Sequence, residues 1–281
     1  MLRFRTALAA LAVAILAAVP LAAPASAITG GEPDGNAHPN VGLILFYDSE
    51  GRWRCSATLV SPTVLVTAAH CTTGTLGSTF VTFDSVIAET EPSPFAPAAD
   101  VTKGYTDAEI AKMGGYSGTA YTHPNYSNFT DLNNWNDVGV IVLDKPIRGI
   151  TPAPIARVNY LNQFTPEILN QTVFDVVGYG TEVRQEDDGP QKPTPMSYPL
   201  IRRHTTVIGQ KLTPQILQAN GNENDNRAGG GTCFGDSGGP IFHSGKIVGV
   251  TSYGYTSNCR YIDGYQRIEI QGVQTWLANF V

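Results

Sequence analysis

Residues Gly235-Asp236-Ser237-Gly238-Gly239-Pro240 set a serine between glycines. Glycine reaches backbone angles closed to other residues and lets a second stretch of backbone come close. A serine held this way can present its hydroxyl to a carbonyl carbon while neighbouring backbone N–H groups point at the same place. Alone, such a stretch reads as a tight turn. Two further segments change that. Thr67-Ala68-Ala69-His70-Cys71 supplies a histidine after an apolar run, and Asn136-Asp137 supplies a carboxylate at the mouth of Val138-Gly139-Val140-Ile141-Val142-Leu143. A serine hydroxyl is a poor nucleophile at neutral pH and needs a base within hydrogen-bond reach. An imidazole can take that proton and return it to a leaving group. A carboxylate on its second ring nitrogen fixes the tautomer and stabilises the imidazolium. The chemistry these three side chains allow is attack on an acyl carbon. His38, His123, His204 and His243 lack the Ala-Ala-His-Cys context, and Asp131 and Asp144 flank Asp137 without standing directly before the apolar run.

Composition narrows the setting. Arg3 and Arg5 precede an apolar Ala/Leu/Val run that ends at Ala25-Ser26-Ala27, the pattern of a secretory signal peptide over residues 1–27. The competing reading is a membrane anchor; Pro20, Pro24 and the small residues favour cleavage. No later stretch reaches the ~20 continuous apolar residues of a spanning helix. Residues 28–281 are enough for one large or two medium-sized domains with cores of their own. The formal charge of −6 grows more negative once the two leader arginines are gone, which argues against nucleic acid or an anionic membrane as partner. The expected product is a secreted, extracellular monomer acting on protein or peptide substrates, without metal or cofactor. Four cysteines in such a chain imply two disulfides, with three possible connectivities. A zinc site is the alternative, but the cysteines are scattered and form no C-x-x-C pair.

The order His, Asp, Ser and the three local motifs resemble the trypsin/chymotrypsin family of serine endopeptidases, from Ile28 to the C-terminus. The resemblance implies that His70, Asp137 and Ser237 are catalytic, working through an acyl-enzyme. It puts the oxyanion donors at the backbone N–H groups of Gly235 and Ser237. Ile28-Thr29-Gly30-Gly31 is similar to the family's Ile-Val-Gly-Gly terminus, which implies an ion pair between the α-amino group of Ile28 and Asp236. Because the leader ends directly at Ile28, no activation peptide is expected. The family pattern selects Cys55–Cys71 and Cys233–Cys259 as the disulfides.

Substrate recognition is read from the same resemblance. Thr251-Ser252-Tyr253-Gly254 is similar to the strand that pairs with substrate backbone, usually Ser-Trp-Gly, so Ser252, Tyr253 and Gly254 are substrate-binding candidates. Where a trypsin-type acid would stand, six residues before the nucleophile, this chain has Gly231, followed by Thr232. Asp263 aligns with another position on the pocket wall. If it lies at the base, Arg or Lys is favoured at the cleaved position; if not, Gly231 and Thr232 leave an uncharged slot. Two other classes compete with an active peptidase. A silent binding protein on the same fold would normally lack a triad residue, and an esterase on another fold would carry Gly-x-Ser-x-Gly, from which Asp236-Ser237-Gly238-Gly239-Pro240 departs.

The elements that must position these residues are short. With 29 glycines, 19 prolines and only 15% charged residues, the chain favours strands and turns over long helices. Strands are expected at Val41 to Tyr47, Val64 to Ala69, Phe80 to Ile87, Val138 to Leu143, Thr172 to Gly178 and Ile247 to Ser252. The resemblance makes these an all-β pair of six-stranded antiparallel barrels with the active site between them. The N-terminal barrel spans about 28–146 and the C-terminal one about 155–267, joined through the Pro-rich segment Lys145 to Pro154. Ile268, Val273, Trp276, Leu277 and Phe280 recur at helical spacing and predict a helix over about 268–281. Glu91 to Ala99 and Lys103 to Gly118 read as surface insertions near the cleft. Gly221 to Gly231 reads as a solvated loop, where a calcium site would lack the EF-hand spacing.

Overall fold

The computed structural model describes residues 28–183 and 196–281; the expected leader lies outside them. Six antiparallel strands close the first barrel: β1 (Val41–Tyr47), β2 (Arg52–Ser61), β3 (Val64–Thr67), β4 (Leu76–Thr82), β5 (Tyr116–Thr122) and β6 (Gly139–Leu143). Their hydrogen-bonded order is β1-β2-β3-β6-β5-β4, with β4 pairing back onto β1. The second barrel uses β7 (Val173–Gly178), β8 (Arg203–Leu212), β9 (Ile216–Asn220), β10 (Pro240–His243), β11 (Lys246–Gly254) and β12 (Ile262–Arg267). Its order, β7-β8-β9-β12-β11-β10 closing on β7, repeats the first. This is the chymotrypsin-like fold of two six-stranded antiparallel barrels.

All seven residues of β1 are buried, which a strand covered on one face alone would not show. Ile44 and Phe46 point into the barrel, and Leu43, Leu45 and Tyr47 point outward against Ala98, Tyr105 and Ile110. The segment expected to be a surface insertion therefore supplies a second cover for β1. Tyr105 and Ile110 are 1% and 0% exposed. Burying two such side chains contributes on the order of 1.5–3 kcal/mol each. The helix that carries Ile110, α1 (Asp107–Lys112), is started by a capping box: Glu109 N–H donates to Thr106 Oγ1 at 3.3 Å, and Thr106 N–H donates to Glu109 Oε2 at 2.8 Å. The T-D-A-E run that encodes it stands plainly in the sequence.

Three other expectations shift. The strand expected from Phe80 to Ile87 is two pieces: β4 ends at Thr82, and Val86–Ala88 turns away to pair with Leu200–Ile201 of the second half. The strand expected to run to Ala69 stops at Thr67, so that Ala69–Cys71 can turn in a 3-10 helix. The C-terminal helix, α2, covers only Gln271–Leu277. Gln266 and Arg267 belong to β12 opposite Val250 and Gly249, and Ile268 N–H still donates to Val248 O, so the backbone is committed to the sheet until there.

The barrels meet along one apolar seam. Val41, Val64, Val66, Val138 and Val140 of the first pack with Val177, Phe242, Ile247 and Val250 of the second, and Val273 and Leu277 of α2 cover the join. A second tie is polar. Arg202, fully buried, donates to Asp34 Oδ2 at 2.8 Å, Val41 O at 3.0 Å and Phe83 O at 2.9 Å. It anchors the N-terminal segment to both halves.

Candidate active site

His70 sits on the 3-10 turn after β3, and Asp137 stands just ahead of β6, the strand paired to β3. That pairing brings the two together. The Asp137 carboxylate is completely buried and accepts from three donors: His70 Nδ1 reaches Oδ2 at 2.9 Å and Oδ1 at 3.2 Å, Ser252 Oγ reaches Oδ2 at 2.6 Å, and His70 N–H reaches Oδ1 at 2.9 Å. Its own N–H donates to Gln266 Oε1 at 3.0 Å. Trp135 Nε1–H donates to Ser252 Oγ at 2.9 Å, which orients the hydroxyl toward the carboxylate. A carboxylate so placed favours the imidazole tautomer with Nδ1 protonated, which leaves Nε2 to act as base.

Ser237 lies in the turn before β10. The turn is closed by Asp236 N–H to Cys233 O at 3.0 Å and Gly239 N–H to Asp236 O at 2.8 Å. It is docked on the first barrel by Ser56 N–H to Ser237 O at 2.8 Å, and on β11 by Gly238 N–H to Thr251 O at 2.8 Å. Gly238 has φ 74°, and a β-carbon there would stand 2.0 Å from Thr67 Oγ1 and 2.7 Å from Ala68 N. The serine turn thus abuts the histidine turn so closely that only glycine fits. Gly235, at φ 98°, would bring a β-carbon 2.9 Å from Arg54 Nε. The Ser237 hydroxyl makes no hydrogen bond among the described residues; such bonds are often long until substrate arrives.

Ser56, Gly180, Trp135 and Gln266 were not singled out from sequence. Ser56 Oγ donates to Gly235 O at 3.0 Å and accepts from Tyr179 N–H at 3.0 Å, so it pins the Gly235 carbonyl. Phe129, 41% exposed, lays its ring 5.6 Å from that of His70 and 5.3 Å from Trp135, which in turn lies 5.4 Å from Tyr253. These residues have no local pattern to announce them.

Asp236 is fully buried between Gly178 and Gly180, either of which would bring a β-carbon within 2.2 Å of its oxygens. It accepts Gly180 N–H and Cys233 N–H, each at 2.8 Å. Burial pushes its carboxyl up to about 7 despite those donors and the charge of Arg54. Ile28 is fully buried in the core of the same barrel, and Thr29 bridges to Gly231.

Next to Ser237 is a cavity of about 160 Å³, lined by Thr232, Phe234, Ser252, Tyr253, Gly254 and the Cys233–Cys259 disulfide among others. The second disulfide, Cys55–Cys71, staples the histidine turn to β2. Of the recognition candidates, Thr232, Ser252, Tyr253 and Gly254 line this cavity. Gly231 and Asp263 do not: Gly231 packs against Gly221 and the N-terminal bridge, and Asp263 lies behind the wall. Asp263 Oδ2 accepts Thr232 N–H at 2.6 Å and Tyr265 Oη–H at 3.3 Å. Its Oδ1 lies 3.7 Å from where a β-carbon on Gly254 would stand. Burial pushes Asp263 up to about 7, with the neighbouring Asp236 charge adding to the rise.

The chain matches known proteins over this whole region. A family model described as Trypsin covers residues 28–277. A trypsin of Saccharopolyspora erythraea is 28% identical over 232 residues, 81% of this chain and 86% of that one. Among solved structures, HL collagenase superposes with a TM-score of 0.60 at 17% identity, covering 89% and 95% of the two chains. An inactivated protease paralogue of the scabies mite superposes nearly as well, at 0.56 and 16% identity over 89% and 97%, so likeness of fold does not by itself establish catalysis. With two barrels of matching topology, the motifs in their order and a family match across nearly all the described residues, the chain belongs to the trypsin family and is a serine endopeptidase.

Proposed function

We propose that the protein is a secreted endopeptidase that hydrolyses peptide bonds through Ser237, with His70 as base and Asp137 as its orienting partner. The observation that carries this reading is the buried Asp137 carboxylate, which holds the His70 ring at 2.9 Å and its backbone N–H at 2.9 Å together. Ser237 Oγ attacks the substrate carbonyl as His70 Nε2 takes its proton. The backbone N–H groups of Gly235 and Ser237 receive the oxyanion. His70 then protonates the leaving amine, and water repeats the sequence on the acyl-enzyme. The intact set of three side chains favours this over a silent relative. Ser237→Ala tests it: a folded variant should lose turnover and also lose labelling by a fluorophosphonate. Residual turnover near the parent level refutes the assignment.

The proposed organisation is a leader over residues 1–27 and a peptidase domain over 28–281, acting outside the cell as a monomer. Among the described residues no helix is long and apolar enough to cross a membrane. The mature terminus at Ile28 is supported by strain as well as charge. Ile28 has φ 53°, a left-handed conformation that costs a residue other than glycine about 1–2 kcal/mol. Hydrolysis of the bond before it abolishes that dihedral and creates an ammonium group to pair with the buried Asp236.

For the cleaved position, Asp263 just behind Gly254 would favour Arg or Lys, whereas the uncharged lining of the cavity would favour an apolar side chain. Asp263→Asn should cut any preference for Arg or Lys, and an unchanged cleavage profile rules the acid out.

A further inference from the structure

The N-terminal segment and β8 bring two histidines and a buried carboxylate to one point. Glu32 and Pro33 pair with His204 and Arg203 of β8 in antiparallel register. Asp34 follows, and the turn after it, closed by Ala37 N–H to Asp34 O at 3.0 Å, carries His38. The Asp34 side chain is wholly buried, whereas those of His38 and His204 are 26% and 34% exposed. Both imidazoles aim at the same oxygen: His38 Nδ1 lies 2.6 Å and His204 Nδ1 3.5 Å from Asp34 Oδ1. The three atoms all lie within 4.8 Å of one another.

The surroundings hold this group in place. Asp34 Oδ2 accepts Arg202 Nε–H at 2.8 Å and His38 N–H at 3.0 Å, which fixes the carboxylate plane and leaves Oδ1 to the two rings. The His38 ring stacks on Phe242 at 5.6 Å with 17° between the planes. A hydrogen bond accounts for His38, but His204 Nδ1 makes none. Two ligands bound to tetrahedral zinc at about 2.0–2.1 Å stand about 3.3 Å from each other. His204 is already near that separation from Oδ1, and His38 needs to withdraw by only about 0.7 Å. Both rings reach solvent, so their rotation admits an ion to ligand atoms that face inward.

We propose that Asp34 Oδ1, His38 Nδ1 and His204 Nδ1 bind one divalent transition-metal ion of the zinc class, with water completing the coordination. Two imidazoles and one carboxylate suit zinc and its neighbours, not calcium or magnesium, which prefer oxygen alone. The hydrogen bonds on Oδ2 act as the outer shell that orients a one-oxygen ligand. The ion takes the place of the proton between His38 and Asp34, so its binding releases a proton and weakens as pH falls. It ties the segment that begins at Ile28 to the second barrel, and so stabilises the fold at a place remote from the reacting atoms. The metal-free expectation drew on the cysteines and on local spacing, neither of which bears on ligands this far apart in sequence.

The test is independent of catalysis and uses purified Ser237→Ala protein, stripped with a chelator that is then dialysed away. Calorimetric titration with zinc chloride near neutral pH should show one ion per chain, and calcium chloride should show none. With zinc at about 100 times its Kd, the thermal unfolding midpoint should rise by about 5 °C or more. His38→Ala and His204→Ala should each weaken zinc binding about tenfold or more and remove the thermal shift. His70→Ala in the same background should leave zinc affinity unchanged, which separates this site from the active-site imidazole. Cobalt in place of zinc should give the visible absorption of a four-coordinate ion, lost in His204→Ala. Ring-proton NMR signals of His38 and His204 in the Ser237→Ala protein should move with zinc, which decides the matter even where a variant fails to fold. No stoichiometric binding, ring signals that stay in place, affinity unmoved by either substitution, or binding lost in His70→Ala overturns the proposal.

Discussion

Extending the mature chain by two residues before Ile28 should leave it folded and nearly inactive. Asp236 is wholly buried, has two backbone donors and is pushed up to about 7 from an ordinary 3.8. A shift of that size corresponds to roughly 4 kcal/mol that an ionised Asp236 must recover from a partner. In the proposed mature form the ammonium of Ile28 is that partner, and breaking such a buried pair costs about 3–5 kcal/mol. If the loss falls on the arrangement of Gly235, kcat/KM should drop about 150- to 5,000-fold. Stability carries a second signature. In the extended Ser237→Ala protein the folded state binds a proton at Asp236 that the unfolded chain releases near 3.8. Its stability should therefore fall as pH rises from about 4 to about 7 and level off above. In the mature protein the ammonium lowers the Asp236 value, so this contribution to the fall should vanish, leaving that of Asp263 in both. The assay is peptide-anilide turnover beside thermal unfolding of both forms across that range. Full activity of the extended form, or identical pH–stability curves, refutes the reasoning.

Arg202→Met should destabilise the fold by about 3–5 kcal/mol in denaturant unfolding, because Asp34 keeps its charge in a buried place. Burial pushes Asp34 upward, but hydrogen bonds from His38 and Arg202 overcome it and leave the carboxyl below its ordinary value. Its stabilising contribution should be present above pH 4 and fade as the solution is acidified further. Replacing both Cys55 and Cys71 by serine should lose roughly 3 kcal/mol for a loop of 16 residues and loosen His70; an unchanged unfolding midpoint would contradict this. If a basic side chain sits over Asp263, its binding favours the ionised acid, so kcat/KM for Arg or Lys substrates should rise as pH passes about 7, relative to an apolar substrate. The two profiles should become parallel in Asp263→Asn.

Much of the site was legible because its chemistry is written in contiguous residues. The glycines around Ser237, the small residues before His70 and the valines after Asp137 each encode a local conformation, and local conformation depends mainly on near neighbours. The strands with buried runs, such as Val41–Tyr47, were legible for the same reason. β8, β9 and β12 were not. Their sequences, RHTTVIGQKL, ILQAN and IDGYQR, show weak apolar character, and they are strands because partners on both sides complete their ladders. The helical spacing from Ile268 misled at its start, since the Ile268 N–H still donates to Val248 O and keeps the backbone on the sheet until there.

What lies between segments came from the tertiary structure alone. The order His, Asp, Ser names three side chains, but only closure of the first barrel sets Asp137 against His70, and only the seam between barrels brings the turn of Ser237 against the turn that carries His70. Whether an acid lines the cleaved-residue cavity or stands behind it turns on one backbone wall, which no spacing encodes. The same holds for Arg54: in sequence it is one cation in a polar strand end, and it stands against Gly235, far along the chain, only because the two segments fold together. Composition and local motif determine which groups are available, since they act over a few residues. Long-range packing decides which groups meet, because burial, charge pairing and cavity shape are properties of chain segments that are remote in sequence.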